Sequence, residues 1–275
     1  MIPEKRKGVF TRDETMKDVM PILFIGHGSP MNVVQENEFT SSLKNIAAHI
    51  PRPQAIVVIS AHWLTEGTFV TGTVNPEQIY DFYGFPRELY QVSYRPPGST
   101  RTADRIIDLG KSIPVIKDYS WGIDHGAWAI LRHLYAEANI PVIQISIDFT
   151  KDAETHYEIG KILSALRDEK ILIIGSGNIV HNLSRMSHEQ FDENPYPWAV
   201  EFDGYVEESL KNEDAESLIH DDRLLYKAAS LSVPTNDHYL PMLYIEAIRR
   251  NDDKLHFFHK GFQHKSISMR SFTLS

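Results

Sequence analysis

Short unbroken apolar runs alternate along this chain with longer segments in which apolar residues recur every three or four positions. The runs are PILFIG (21–26), AIVVISA (55–61), PVIQISI (141–147) and ILIIGSG (171–177). They are rich in Ile and Val and bounded by Pro, Gly or polar residues, which predicts strands. Continuous rather than alternating apolarity predicts a sheet covered on both faces. NEFTSSLKNIAA (37–48), GAWAILRHLYAEA (126–138) and TKDAETHYEIGKILSALR (150–167) carry the helical period. Alternating strands and helices predict an α/β fold, with a central, mostly parallel (mixed) sheet flanked by helices. Residues 198–251 turn helical and more charged. The stretch 254–272 alternates weakly and reads as a late antiparallel hairpin, while PPGST (96–100) and DENPYPW (192–198) read as loops. With no repeat, low-complexity tract or linker, one domain over 1–275 is the economical organisation.

Composition narrows the chemistry. The net charge of −9 argues against a surface that tracks nucleic-acid phosphates. Cysteine is absent, which excludes disulfides, thiolate metal sites and cysteine nucleophiles. The first twenty residues are charged throughout and lack the apolar core of a secretory signal. No apolar run approaches the roughly 20 residues of a membrane span. The expectation is a cytoplasmic protein acting on neither nucleic acid nor membrane.

The unusual feature is 13 histidines. His27 follows the first strand in GHGSP, His62 ends AIVVISAHW, and His181 lies four residues beyond ILIIGSG. Ligands of open α/β sheets bind beyond the carboxyl ends of the strands, so these three have the right placement. His238, in VPTNDHYLP, precedes a helical pattern, and His125 stands in WGIDHGAW. The remaining eight, including His156, have no such placement and default to surface roles. Each histidine alone reads as a turn or core residue, and Gly26 and Gly28 read as turn glycines with positive φ. Together, strand-end histidines in a cysteine-free protein predict a nitrogen-rich metal site, open to Zn, Cu, Fe or Ni. GSGN (175–178) also reads weakly as an anion-binding loop.

GHGSP, SAHW, YDFYGFP, WGIDHGAW, GSGNIVHNL and PTNDHYLPM, in this order, resemble the DODA-type extradiol aromatic ring-opening dioxygenases of the class III, LigB-like superfamily. The motifs span residues 21 to 250, nearly the whole chain. The resemblance implies an α/β fold and one divalent metal: Fe(II) for catalysis, with Zn(II) an occupant in isolated protein. It implies His27, His62 and His238 as metal ligands and His181 as a ligand or acid–base group. His125 is the second acid–base candidate. The substrates implied are a catechol, L-DOPA among the candidates, and O₂. Many class III enzymes use two histidines and a glutamate; no glutamate falls in a matching motif here, and Asp237 and Glu246 are minor carboxylate candidates. Trp63, Tyr80, Phe82, Trp121 and Tyr239 could pack on a planar ring, and Arg95 or Arg185 could hold a substrate carboxylate. The rival readings are a zinc-dependent hydrolase, a tetrapyrrole metal chelatase and a non-catalytic metal-binding protein.

Overall fold

The computed structural model describes residues 19–111, 113–191, 194–220 and 226–275. The charged N-terminal stretch, apart from its last two residues, and part of the loop 192–198 lie outside them. Ten strands occur among the described residues: β1 (Ile22–Gly26), β2 (Ala55–Thr65), β3 (Thr68–Thr71), β4 (Val115–Asp118), β5 (Val142–Asp148), β6 (Ile171–Gly177), β7 (Leu255–His259), β8 (Phe262–Gln263), β9 (Ile267–Ser268) and β10 (Ser271–Leu274). The helices are α1 (Glu38–Ala47), α2 (Thr100–Leu109), α3 (His125–Leu134), α4 (Ala153–Ile162), α5 (Pro197–Lys211), α6 (Ala215–Ile219), α7 (Tyr226–Ser232) and α8 (Leu240–Ile248).

Eight strands form one sheet in the order β4-β3-β5-β2-β6-β1-β10-β7. The four strands predicted from the apolar runs are its contiguous parallel centre, β5-β2-β6-β1. The sheet is mixed because β3 meets β5, and β10 meets both β1 and β7, in antiparallel fashion. Both faces are covered, as continuous apolarity requires. Ile22, Phe24, Val57 and Ile173 pack with α4, α5 and α8 on one side. Leu23, Ile25, Val58 and Ile174 pack with α1 and α3 on the other.

Several boundaries differ from the sequence reading, each for a local reason. β2 continues to Thr65 through the polar SAHWLT segment. α3 begins at His125 itself, with the Asp124 side chain capping it by accepting from the Ala127 N–H. α2 begins inside the supposed loop PPGST, where Ser99 accepts from Thr102 N–H as its N-cap. The tail does turn back on itself, but β7 and β10 join the main sheet, and β8 and β9 form a separate small ribbon. His156 is not a surface residue: it is fully buried, between the Tyr244 hydroxyl and the Asp148 carbonyl. Among the described residues no helix is long and apolar enough to cross a membrane.

Candidate metal centre

The carboxyl ends of β1, β2 and β6 deliver the site. His27 follows β1 and its backbone N–H donates to the Gly177 carbonyl (3.0 Å). The chain then turns sharply at Gly28, whose φ of 61° suits glycine; Gly26, by contrast, is not among the glycines with positive φ. His62 sits in an irregular part of β2, where the register to β5 shifts between the pairs Ile59–Ile145 and Leu64–Ile147. That bulge re-aims the side chains between them. His238 ends the 3₁₀ turn Asn236–His238, just before α8. Its carbonyl accepts from Asn178 N–H (2.8 Å). A Cβ on Gly177 would lie 2.1 Å from that carbonyl oxygen, so only glycine lets the turn approach β6.

One nitrogen each from His27, His62 and His238 can be chosen so that all three lie within 4.8 Å of one another. What surrounds the rings fixes their protons. The Ser176 hydroxyl donates to the Gly126 carbonyl (2.5 Å), so toward His27 it can only accept. His27 therefore carries its proton on Nδ1, 3.0 Å from Ser176 Oγ, and presents an Nε2 lone pair. His238 Nδ1 lies 2.6 Å from the Asp237 carboxylate, which places its proton there as well. Its Nε2 is buried with no hydrogen-bond partner. His62 Nε2 stands 3.2 Å from His27 Nε2, while its Nδ1 stands 3.2 Å from Asp81 Oδ2.

Electrostatics keep these rings neutral. Burial first, then the neighbouring histidines, hold His27 and His238 well below the usual imidazole value of 6.5. Burial and His125 bring His62 down to about 3, against the pull of Asp81. Three neutral imidazoles with converging ring nitrogens suit a divalent cation. The orphaned Nε2 of His238 is the plainest sign of the fit, because buried polar atoms rarely go without a partner.

His181 is not part of the three-nitrogen group. Its ring stacks on His238 at 3.5 Å between centroids and 5° between planes. Its backbone is anchored by donation to the Ser232 carbonyl and a bridge to Ile267. Burial lowers it to about 4, against the pull of Asp237. His125 lies beside the group, its ring 4.1 Å from that of His62 and 5.8 Å from that of His27. All five sequence-predicted histidines therefore meet in one place.

The carboxylate candidates do something else. Asp237 bonds to His238 from behind, and Glu246 pairs with Arg249 at the C-terminal end of α8. Arg185 is exposed on a 3₁₀ turn. Arg95 lines a cleft of about 610 Å³ with Asn75, Glu77 and Gln78, none of them a site histidine. Of the aromatic candidates, Phe82 stands edge-on to His125 at 5.4 Å. Trp63 stacks on Trp121, and Tyr239 is core, donating to the Leu218 carbonyl. Ser176 and Asp81 were not singled out from sequence. Both lie within the motifs GSGN and YDFYGFP, and that was the available signal. The serine of GSGN holds His27, and Asn178 donates to the Ser268 carbonyl.

A sequence model described as the catalytic LigB subunit of aromatic ring-opening dioxygenase matches residues 19–270. The chain belongs to the LigB family. It is an aromatic ring-opening dioxygenase of the extradiol type. An Escherichia coli K12 relative named 4,5-DOPA dioxygenase extradiol is 44% identical over 92% of this LigB chain and 93% of its own. A Beta vulgaris relative of the same name is 34% identical over 93% and 96%. The crystal structure of an uncharacterized Escherichia coli K12 protein superposes with a TM-score of 0.81 at 41% identity, covering 93% of this chain and 100% of that one.

Proposed function

We propose that this LigB-family enzyme opens the ring of a catechol with O₂ at an iron(II) held by His27, His62 and His238. The observation that carries the ligand set is the convergence of three neutral imidazole nitrogens, one of them buried without a partner. When bound, iron(II) supplies a Lewis acid that lowers the catechol's pKa and a redox path between catechol and O₂ that zinc lacks.

The protein's own residues do the rest. Ser176 and Asp237 orient two ligand rings through their Nδ1 protons, as metal-binding histidines generally require. His181 takes the catechol proton: it is neutral at pH 7, its ring lies against a ligand ring, and among the described residues no hydrogen bond occupies its nitrogens. His125 presents Nε2 and is the second proton carrier, its Nδ1 being 2.9 Å from Asp81 Oδ2. Phe82, edge-on to His125, offers an apolar wall for an aromatic ring. L-DOPA is the first catechol to test, since the Escherichia coli and Beta vulgaris relatives are named for it.

The test is anaerobic loading with iron(II), then O₂ and a catechol panel that includes L-DOPA. Ring opening gives a yellow semialdehyde with matching O₂ uptake. A filled iron site that opens no catechol overturns the proposal. The LigB-family match and the aromatic wall favour this reading over chelatase, hydrolase and non-catalytic alternatives.

A further inference from the structure

One carboxylate, Asp81, touches two of the five site histidines. Its Oδ1 accepts from the His125 backbone N–H (2.8 Å) and its Oδ2 from His125 Nδ1 (2.9 Å). The same Oδ2 lies 3.2 Å from His62 Nδ1. The Asp81 side chain is 19% exposed.

The loop that carries Asp81 is braced. Gln78 bridges to Ile123, and Ile79 N–H donates to the Ile123 carbonyl (2.8 Å), so this segment runs alongside the one that leads into α3. Trp128 Nε1 donates to the Ile79 carbonyl (2.8 Å), and the Tyr80 hydroxyl to the Val92 carbonyl (2.6 Å). Phe82 then closes on the His125 ring. Asp81 is thereby held opposite His125 from both sides of its own position in the chain.

We infer that Asp81 is a positioning residue that sets the tautomers of His62 and His125 together, keeping both Nε2 lone pairs turned toward the metal-binding space. A neutral imidazole free in water favours its proton on Nε2, the atom a metal ligand or a base must leave bare. A carboxylate has no proton to give, so facing two Nδ1 atoms it accepts from both. For His62 this chooses between two poor arrangements. With the proton on Nε2, a lone pair would face the carboxylate. With the proton on Nδ1, two lone pairs face each other across 3.2 Å toward His27, which a cation between them relieves. Asp81 selects the second. A ligand and a proton carrier are thus tied to one group, and each gains orientation from it. The inference rests on the proposed roles of His62 and His125 for its consequence in turnover, though not for its central observable.

The isosteric variant Asp81→Asn tests it directly. The His125 backbone N–H still needs an acceptor, so the amide oxygen stays there and the NH₂ takes the place of Oδ2. It then donates to a ring nitrogen, which pushes that ring's proton to Nε2. Long-range ¹H–¹⁵N spectra of the metal-free protein read this ring by ring. Expected are Nδ1–H at both His62 and His125 in the wild type, and Nε2–H at one or both in Asp81→Asn. Zinc, as a redox-silent probe, should bind Asp81→Asn about 10- to 100-fold more weakly. In metal-saturated enzyme, kcat should fall with little change in KM. Asp81→Ala, which only removes the acceptor, should show mixed tautomers. Unchanged tautomers in both variants, or X-ray absorption of the zinc protein showing an Asp81 oxygen bound to the metal, would overturn the inference. If wild-type iron protein opens no catechol yet the tautomers follow Asp81, the functional proposal falls and the clamp stands.

Discussion

His27 Nε2 and His62 Nε2 stand 3.2 Å apart, and the Ser176 hydroxyl rules out a proton on the first of them. With the His62 proton held at Nδ1 by Asp81, as inferred above, two lone pairs face each other across this gap, and a cation between them relieves the repulsion. Added zinc should raise the melting temperature, since anything that binds the folded state alone stabilises it by mass action: about 2.7 kcal/mol at a hundredfold excess over Kd. His238→Ala removes the orphaned third nitrogen and should abolish most of that rise. Calorimetric titration and thermal unfolding with and without zinc check both statements.

Ser176→Ala probes the same geometry from behind. It deletes the acceptor of the His27 Nδ1 proton, which lets the ring rotate or change tautomer. The Gly126 carbonyl also loses its donor from Ser176. Zinc affinity should fall by about 10- to 100-fold while the far-ultraviolet circular dichroism stays that of the wild type. An unchanged zinc affinity would mean that packing alone orients His27.

His181 and His125 should separate from the ligand set. His181→Ala and His125→Ala should keep their metal content but lose turnover by about 10²- to 10⁴-fold, the usual worth of a positioned acid or base. Metal analysis beside steady-state kinetics makes the distinction. If His181→Ala loses its metal, then His181 acts as a ligand, or its stacking on His238 is what holds that ligand in place.

Much of this could be read along the chain, because continuous Ile- and Val-rich runs have few places to go except a sheet covered on both faces. β6 matches its run, Ile171–Gly177, residue for residue. The short strands β3 and β4 at one side of the sheet were not legible: four residues each, TFVT and VIKD, hold too little pattern. The histidines were legible because strand ends converge. Their partners were less so. Asp81 reaches His125 across 44 positions, and Ser176 reaches His27 across 149, distances at which local pattern carries no information. Asp124, beside His125, serves the fold: it caps α3 and bonds to Ser60 and Gln144, buried and pushed up to about 6 by that burial and by Asp81.

Stability should carry two opposing pH dependences that mutation can separate. The site histidines His62 and His181 have folded values of about 3 and 4, below the ordinary 6.5. The unfolded chain therefore takes up protons first, and the metal-free protein should lose stability as pH falls from 6.5 toward 4. Glu246 works the other way. Burial pushes its carboxyl up to about 7 from 4.5, despite the Arg249 guanidinium at 2.9 Å, and its Oε2 has no partner. Its contribution is complete below pH 4.5 and is lost as pH rises through 7, since the unfolded chain gives up that proton first. The loss is on the order of 3 kcal/mol at most. Glu246→Gln keeps the shape and an acceptor for Arg249 but cannot ionise. The stability of the variant relative to the wild type should therefore climb between pH 4.5 and 7 and level off above, while the histidine-driven fall at acid pH persists in both. Urea unfolding of the two metal-free proteins at half-unit pH steps measures that difference. A difference that stays flat across the window would show that Arg249 keeps Glu246 ionised in the folded protein.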